Sequence, residues 1–191
     1  MAWFAVVLLV LVLVAIAIAV QAVALYNGLV QVKHQVDQAW ANIDVLLKQR
    51  HDELPKLVAA VRGYATHERA LFEEITALRV RAQASGSAEE RVHAEEALSR
   101  DVSKLLAVAE NYPSLRASEV FIDLQRRISA LEEQIAHRRE FYNAAVNINN
   151  VRLEEFPDLL LAGAAGLARK PLFEAQGAER ADVDVGAALR V

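Results

Sequence analysis

A carboxylate and an imidazole stand three residues apart in Glu90-Arg91-Val92-His93, on one face if the segment is helical. Glu-x-x-His is the half-motif from which di-metal carboxylate sites in helical bundles are built. Such a site needs a second copy and two further inward carboxylates. The sequence offers no second Glu-x-x-His, and this one falls in a charged first turn, so it reads as a surface pair rather than a ligand set. His51-Asp52 and His67-Glu68 are adjacent pairs, and neighbours on a helix point in different directions. Neither His-Glu-x-x-His, Gly-x-Ser-x-Gly nor a phosphate-binding glycine loop occurs. The chain has no cysteine, which excludes disulfides, thiolate metal sites and a cysteine nucleophile. The expectation is a protein without catalytic, cofactor-binding or metal residues, and not an enzyme.

Other polar residues lie close to apolar stripes: Asn27, Gln125, Asn143 and Asn150. One reading makes them a buried hydrogen-bond network that fixes helix register or partner choice; the other leaves them facing solvent. Arg126-Arg127 and Arg138-Arg139 flank Glu132 and Glu133 and read as a solvated salt-bridge face, each pair contributing tenths of a kcal/mol.

The elements that would position these groups follow from the apolar pattern. Of 191 residues, 54% are hydrophobic, and the excess sits in the first 25. Every charged side chain lies from Lys33 onward, with a formal net charge of -4. A mildly acidic domain lacks the basic face that nucleic acid requires, so none is expected as a partner. Ala2 to Leu25 carries no charge, with Gln21 its strongly polar residue and Trp3 and Tyr26 at its ends. About 20 apolar residues span a bilayer as a helix, and aromatic rings favour the headgroup zone. Ala22-Val23-Ala24 imitates a signal-peptide cleavage site, but the run is too long and lacks a basic start. A transmembrane helix over 1–26 is the expectation. Lys33, then Lys48 and Arg50, place the following domain on the cytoplasmic side.

Leu29, Val32, Val36, Ala39, Ile43 and Leu46 continue at 3-4-3-4-3 spacing without a linker, which predicts one helix from the membrane to about Arg50. Pro55, with Asp52 as a cap, predicts a break there. A second helix then carries Leu57, Val58, Val61, Tyr64, Ala65, Glu68, Phe72, Ile75 and Leu78, to Ser85-Gly86-Ser87. Ser87 with Glu90 matches a capping box for a third helix, which Asn111-Tyr112-Pro113 stops. A fourth runs from near Ser118 to Phe156-Pro157 through Phe121, Leu124, Ile128, Leu131, Ile135, Arg138, Tyr142 and Ala145. Two long helices should therefore protrude beyond a shorter pair. The fold class is all-α: an N-terminal transmembrane helix continuing into an antiparallel bundle of about four long helices over 27–157. A short apolar segment over 158–175, centred on Leu159 to Leu167, is too short to span a bilayer; packing on the bundle is the default reading, with a neighbouring subunit or the membrane surface as the alternatives. Residues 176–191 read as a flexible tail.

The chain resembles the LemA family of bacterial membrane proteins. The resemblance rests on Tyr26-Asn27-Gly28-Leu29-Val30, Ala39-Trp40, Leu47 to Asp52 leading to Pro55, and Val61-Arg62-Gly63-Tyr64 with His67-Glu68. It continues in Ala107 to Pro113, Leu124-Gln125, Tyr142-Asn143, Phe156-Pro157 and Phe173-Glu174. Lys33-His34, Asn149 and Ser118 depart from the family pattern, which bears on any function needing the usual groups there. The resemblance implies an inner-membrane anchor and a helical bundle but no agreed biochemical activity. Some relatives belong to a magnetosome gene set, pointing to membrane shaping or protein organisation. The expected function is a membrane-anchored, non-enzymatic scaffold or assembly protein of the bacterial inner membrane. Its partners would be the lipid bilayer, further copies of itself in a homo-oligomer, and other membrane proteins. The alternative is a membrane-tethered ligand-binding or sensory module. Small residues in the span, Ala15, Ala17, Ala19 and Ala22, suit lateral helix association.

Overall fold

A computed structural model describes residues 2–65 and 67–174, Ala2 by its backbone alone; the tail expected over 176–191 lies outside the described residues. Helix α1 covers Ala2–Arg62, α2 Arg69–Ala84, α3 Ala88–Ala109, α4 Pro113–Arg116, α5 Glu119–Arg152 and α6 Leu159–Ala162. No strand occurs among the described residues. The four long helices alternate in direction, α1 and α3 running away from the apolar end, α2 and α5 returning. The long α1 and α5 pack along each other and outrun the shorter α2–α3 hairpin.

Helix α1 has 61 residues, so it is about 90 Å long. Its first stretch, from Trp3 to Val20, is exposed throughout, and it is apolar and long enough to cross a membrane. Beyond Tyr26 one stripe turns inward: Leu29, Val32, Val36, Ile43, Leu47, Arg50, Leu54, Leu57 and Val61 are buried.

Pro55 does not break this helix. The expected break fails because the chain repairs what proline removes. Without an N–H, Pro55 leaves the His51 carbonyl four residues back without its helical donor, and Arg79 Nε of α2 donates to that oxygen at 2.9 Å. Asp52 is therefore an exposed mid-helix residue rather than a cap. Leu57, Val58 and Val61 belong to α1, while Tyr64, Ala65 and Glu68 lie in its connection to α2. The helix ends where Tyr64 and Ala65 both donate to the Val61 carbonyl at 3.0 Å.

The other boundaries follow local chemistry. Ser87 caps α3 by accepting from the Glu90 amide at 3.2 Å, and Ser118 caps α5 through the Phe121 amide. The Pro113 stop is real but is followed by the single turn of α4, with proline at its first position. Helix α5 stops at Arg152, short of the expected Phe156-Pro157. Its inward stripe keeps Phe121, Leu124, Ile128, Leu131, Ile135 and Tyr142, then uses Arg139 and Val146 where Arg138 and Ala145 were expected. A stripe at 3.5 spacing drifts on a 3.6-residue helix, which accounts for the one-residue slip.

The apolar core divides into three groups. Leu54, Leu57 and Val61 pack with Phe72, Ile75, Leu98, Val102, Leu105, Phe121, Leu124 and Ile128 at the far end. Val36, Ile43 and Leu47 pack with Val92, Ile135, Tyr142, Val146 and Phe173 nearer the apolar span. Leu29 packs with Ala162, Ala165 and Leu167 beside the span itself. The segment after α5 thus packs on the bundle, as expected for a short apolar run. Gly166, at φ +72°, makes its return turn beside Lys33.

Candidate functional site

Between the two larger apolar groups the inward stripes carry charge. Arg50 and His51 follow Leu47 on α1, Glu95 and Ser99 follow Val92 on α3, and Glu132 and Arg139 bracket Ile135 on α5. Arg50 and Glu95 are both 0% exposed. Arg50 Nη2 pairs with Glu95 Oε2. Its Nη1 donates to Glu132 Oε1 at 2.9 Å and to the Ser99 hydroxyl. His51 Nε2 donates to the other Glu95 oxygen at 2.9 Å. Ser99 donates its hydroxyl proton to Glu132 Oε2 at 2.9 Å and accepts from Arg139 Nη2 at 3.1 Å.

The charges set the protonation states. Burial alone would push the Glu95 carboxyl up, but the His51 hydrogen bond and the Arg50 charge outweigh it and hold it below the usual carboxylate value. Burial, reinforced by the neighbouring Arg50 charge, lowers the Arg139 guanidinium. Burial pushes the Tyr142 phenol up to about 12, so it is neutral at any physiological pH. Ser99 is fully committed, its proton to Glu132 and its lone pairs to the arginines, so its oxygen is not a free nucleophile. What the layer does is electrostatic: it ties α1, α3 and α5 at one height with charges that have no favourable alternative partner in an apolar core.

A second arrangement adjoins it. Residues 168–174 run antiparallel along α5. Asn143 Nδ2 donates to the Phe173 carbonyl at 2.8 Å, and the Phe173 amide donates back to Asn143 Oδ1 at 2.9 Å. One heptad further on, Asn150 makes the same reciprocal pair with Lys170, at 3.0 and 3.1 Å. Asn149 Nδ2 donates to the Ala168 carbonyl at 2.9 Å. Seven helical residues rise about 10.5 Å and three extended ones span about 10 Å, so the asparagine spacing fits an extended strap. The Phe173 ring fills a notch formed by Trp40, at 6.2 Å between ring centroids, and Tyr142, at 5.5 Å. Arg139 lies 4.8 Å over the same ring, so one guanidinium joins the charged layer to the strap.

The residues singled out in the sequence fare unevenly. Asn143 and Asn150 do make hydrogen bonds, but they hold the strap rather than helix register; Asn27 is exposed and Gln125 half-buried. Arg126, Arg127, Arg138 and Glu133 are exposed, as the solvated-face reading required. Arg139 and Glu132 are the correction: the stripe drift turns them into the bundle and onto Ser99. Glu90 and His93 are exposed, and His93 lies 3.7 Å from Glu96. Among the described residues no cluster of three or more histidine or acidic side chains could hold a metal. Sequence reasoning missed Arg50, Glu95, Ser99 and the Phe173 notch. Arg50 lies on the stripe through Leu47 and Leu54, a signal hidden by the break expected at Pro55.

A family model described as the LemA family matches residues 39–186. The chain belongs to the LemA family. The match covers both the charged layer and the strap, from Trp40 to Phe173, and excludes the apolar span. Magnetosome protein MamQ 2 of Paramagnetospirillum magneticum is 23% identical over 175 residues, covering 78% of this chain and 64% of the relative. MamQ of Magnetospirillum gryphiswaldense is 21% identical over 174 residues with the same shares. Protein LemA of Metamycoplasma hominis is 26% identical over 161 residues, covering 83% of this chain and 73% of the relative. The chain spans just under two thirds of the length of these MamQ relatives.

Proposed function

We propose that this LemA-family chain is a membrane-anchored, non-enzymatic scaffold of the bacterial inner membrane that associates with itself and organises other membrane proteins. The observation that carries the reading is α1, one unbroken helix from an apolar span into the bundle core, Ala2–Arg62. Such a helix transmits position stiffly, which suits assembly more than capture of a diffusing substrate. The commitment of Ser99 to Glu132, and of Glu95 to Arg50 and His51, supports a structural rather than catalytic layer. Lys33, the first charge after the span, favours a cytoplasmic bundle. The small residues Ala15, Ala17, Ala19 and Ala22 supply close-approach positions for a second copy. That relatives are named magnetosome proteins agrees with a role in organising membrane-bound assemblies.

The test is the mass of the complex extracted gently from native membranes, by native mass spectrometry or light scattering. A defined homo-oligomer is expected. A lone monomer, with no adducts on crosslinking in the membrane, would sink self-assembly and favour a membrane-tethered binding module.

A further inference from the structure

We propose that the turn after α5 is a lipid-contacting foot, with Phe156, Leu159 and Leu160 seated in the same bilayer that α1 crosses. This rests on the reading of Ala2–Leu25 as a membrane span. Phe156 is 79% exposed, Leu160 69% and Leu159 54%, a density of bare apolar side chains that the rest of the turn does not share. Helix α6 splits its residues by side. Ala162 is buried and Leu161 half-buried against Leu29 and Val30 of α1, while Leu159 and Leu160 face away.

The height of the foot follows from α1. Tyr26 marks the end of the span, and Leu29 lies three residues on, about 4.5 Å along the axis. The headgroup layer on each side of the hydrocarbon is roughly 5–7 Å deep. A segment docked on Leu29 and Val30 therefore sits at headgroup level, and apolar side chains pointing away from the bundle there meet the interface. The segment is docked on the same helix that forms the span, just past its end, which is why the bilayer is its occupant rather than a soluble partner.

The turn is also fixed in place. Buried Asp158 pairs with Arg152 of α5, the Leu159 amide donates to the Glu155 carbonyl at 2.8 Å, and the Leu161 amide to the Asp158 carbonyl at 2.9 Å. Its charged neighbours remain at the polar level: Arg169 pairs with Glu154 at 3.1 Å, and Lys33 lies beside Gly166. The result is a second membrane attachment beside the span, able to set the rotation and tilt of the bundle on the bilayer surface.

The absence of cysteine makes the test direct. Full-length Val12→Cys, Leu160→Cys, Phe156→Cys and Glu133→Cys variants are labelled with a nitroxide and reconstituted into phosphatidylcholine–phosphatidylglycerol vesicles. Collision with lipid-soluble oxygen is compared with collision with a water-soluble nickel chelate. The expected result is oxygen-dominated collision at positions 12, 156 and 160, and nickel-dominated collision at 133. Positions 156 and 160 as nickel-accessible as 133, with position 12 still in lipid, would overturn the foot and leave the span standing. Spin–spin broadening at 160 that vanishes on dilution with unlabelled chain would assign the patch to a second copy and also overturn it. Nickel access at position 12 would overturn the span reading and the foot together.

Discussion

Arg50 is a permanent positive charge on an otherwise apolar stripe, and the bundle is built to receive it. Glu95 and Glu132 neutralise it and Ser99 accepts a further hydrogen bond from its Nη1. Removing one partner of a buried pair leaves the other uncompensated, at a cost of roughly 3–5 kcal/mol. Glu95→Gln should therefore lower bundle stability by several kcal/mol at neutral pH, read by urea unfolding of the detergent-solubilised chain. The pH dependence has a definite sign. Because the folded carboxyl titrates below its ordinary value of 4.5, its contribution is complete above that value and is lost as pH falls through the depressed folded pKa. Glu95→Gln should flatten this acid limb. Asp44, held low against its own burial by Lys48 and Arg91, leaves a residual slope. An unchanged acid limb would show that Glu95 is not held ionised. At this scale the sequence was only partly legible: the Ser87 cap could be read from types and spacing alone, whereas the burial of Arg139 instead of Arg138 depends on a helical drift of a fraction of a turn.

At the scale of elements, Pro55 shows a local rule overridden by a tertiary contact. The His51 carbonyl is satisfied from another helix, so α1 persists and α2 is tied to it. The dependence is testable as a double-mutant cycle. Arg79→Ala should destabilise the chain by about 1–3 kcal/mol, the cost of an unsatisfied buried carbonyl. In a Pro55→Ala background, where residue 55 again supplies an amide, most of that loss should vanish; equal losses in both backgrounds would refute the pairing. No sequence pattern announces such a donor 28 residues away, which is why the break was expected. The asparagine clamp is the converse, a local spacing whose meaning needed the strap. Asn143→Ala removes the donor and acceptor that hold Phe173, so the amides of Lys170 and Phe173 should lose hydrogen-exchange protection while α3 and the middle of α5 keep theirs. Protection unchanged at Phe173 would mean the ring in its notch, not the clamp, holds the strap.

At the scale of the whole molecule, most of the architecture could be read directly. A long apolar run, 3-4 spacing and few breaks are enough to give an all-α chain with two long helices outrunning two shorter ones. The charged layer was not readable, because which of several arginines and glutamates turn inward is decided only when three helices align. The layer and the unbroken α1 together make the described chain stiff. Nitroxides placed by Asn27→Cys and Lys56→Cys should report a single narrow distance of about 44 Å in spin-diluted vesicles. A broad distribution would show a hinge within α1 and remove the basis for rigid presentation.

The unbroken α1 also makes the molecule a lever. From Tyr26 to Arg62 the arm is about 54 Å long. Transmembrane helices tilt by about 20° on average, and tilt responds to bilayer thickness. Swinging such an arm from upright through that angle moves its far end sideways by roughly 18 Å. A change of a few ångströms in the lipid would thereby be magnified into a displacement the size of a small domain at the tip, where α1 turns into α2.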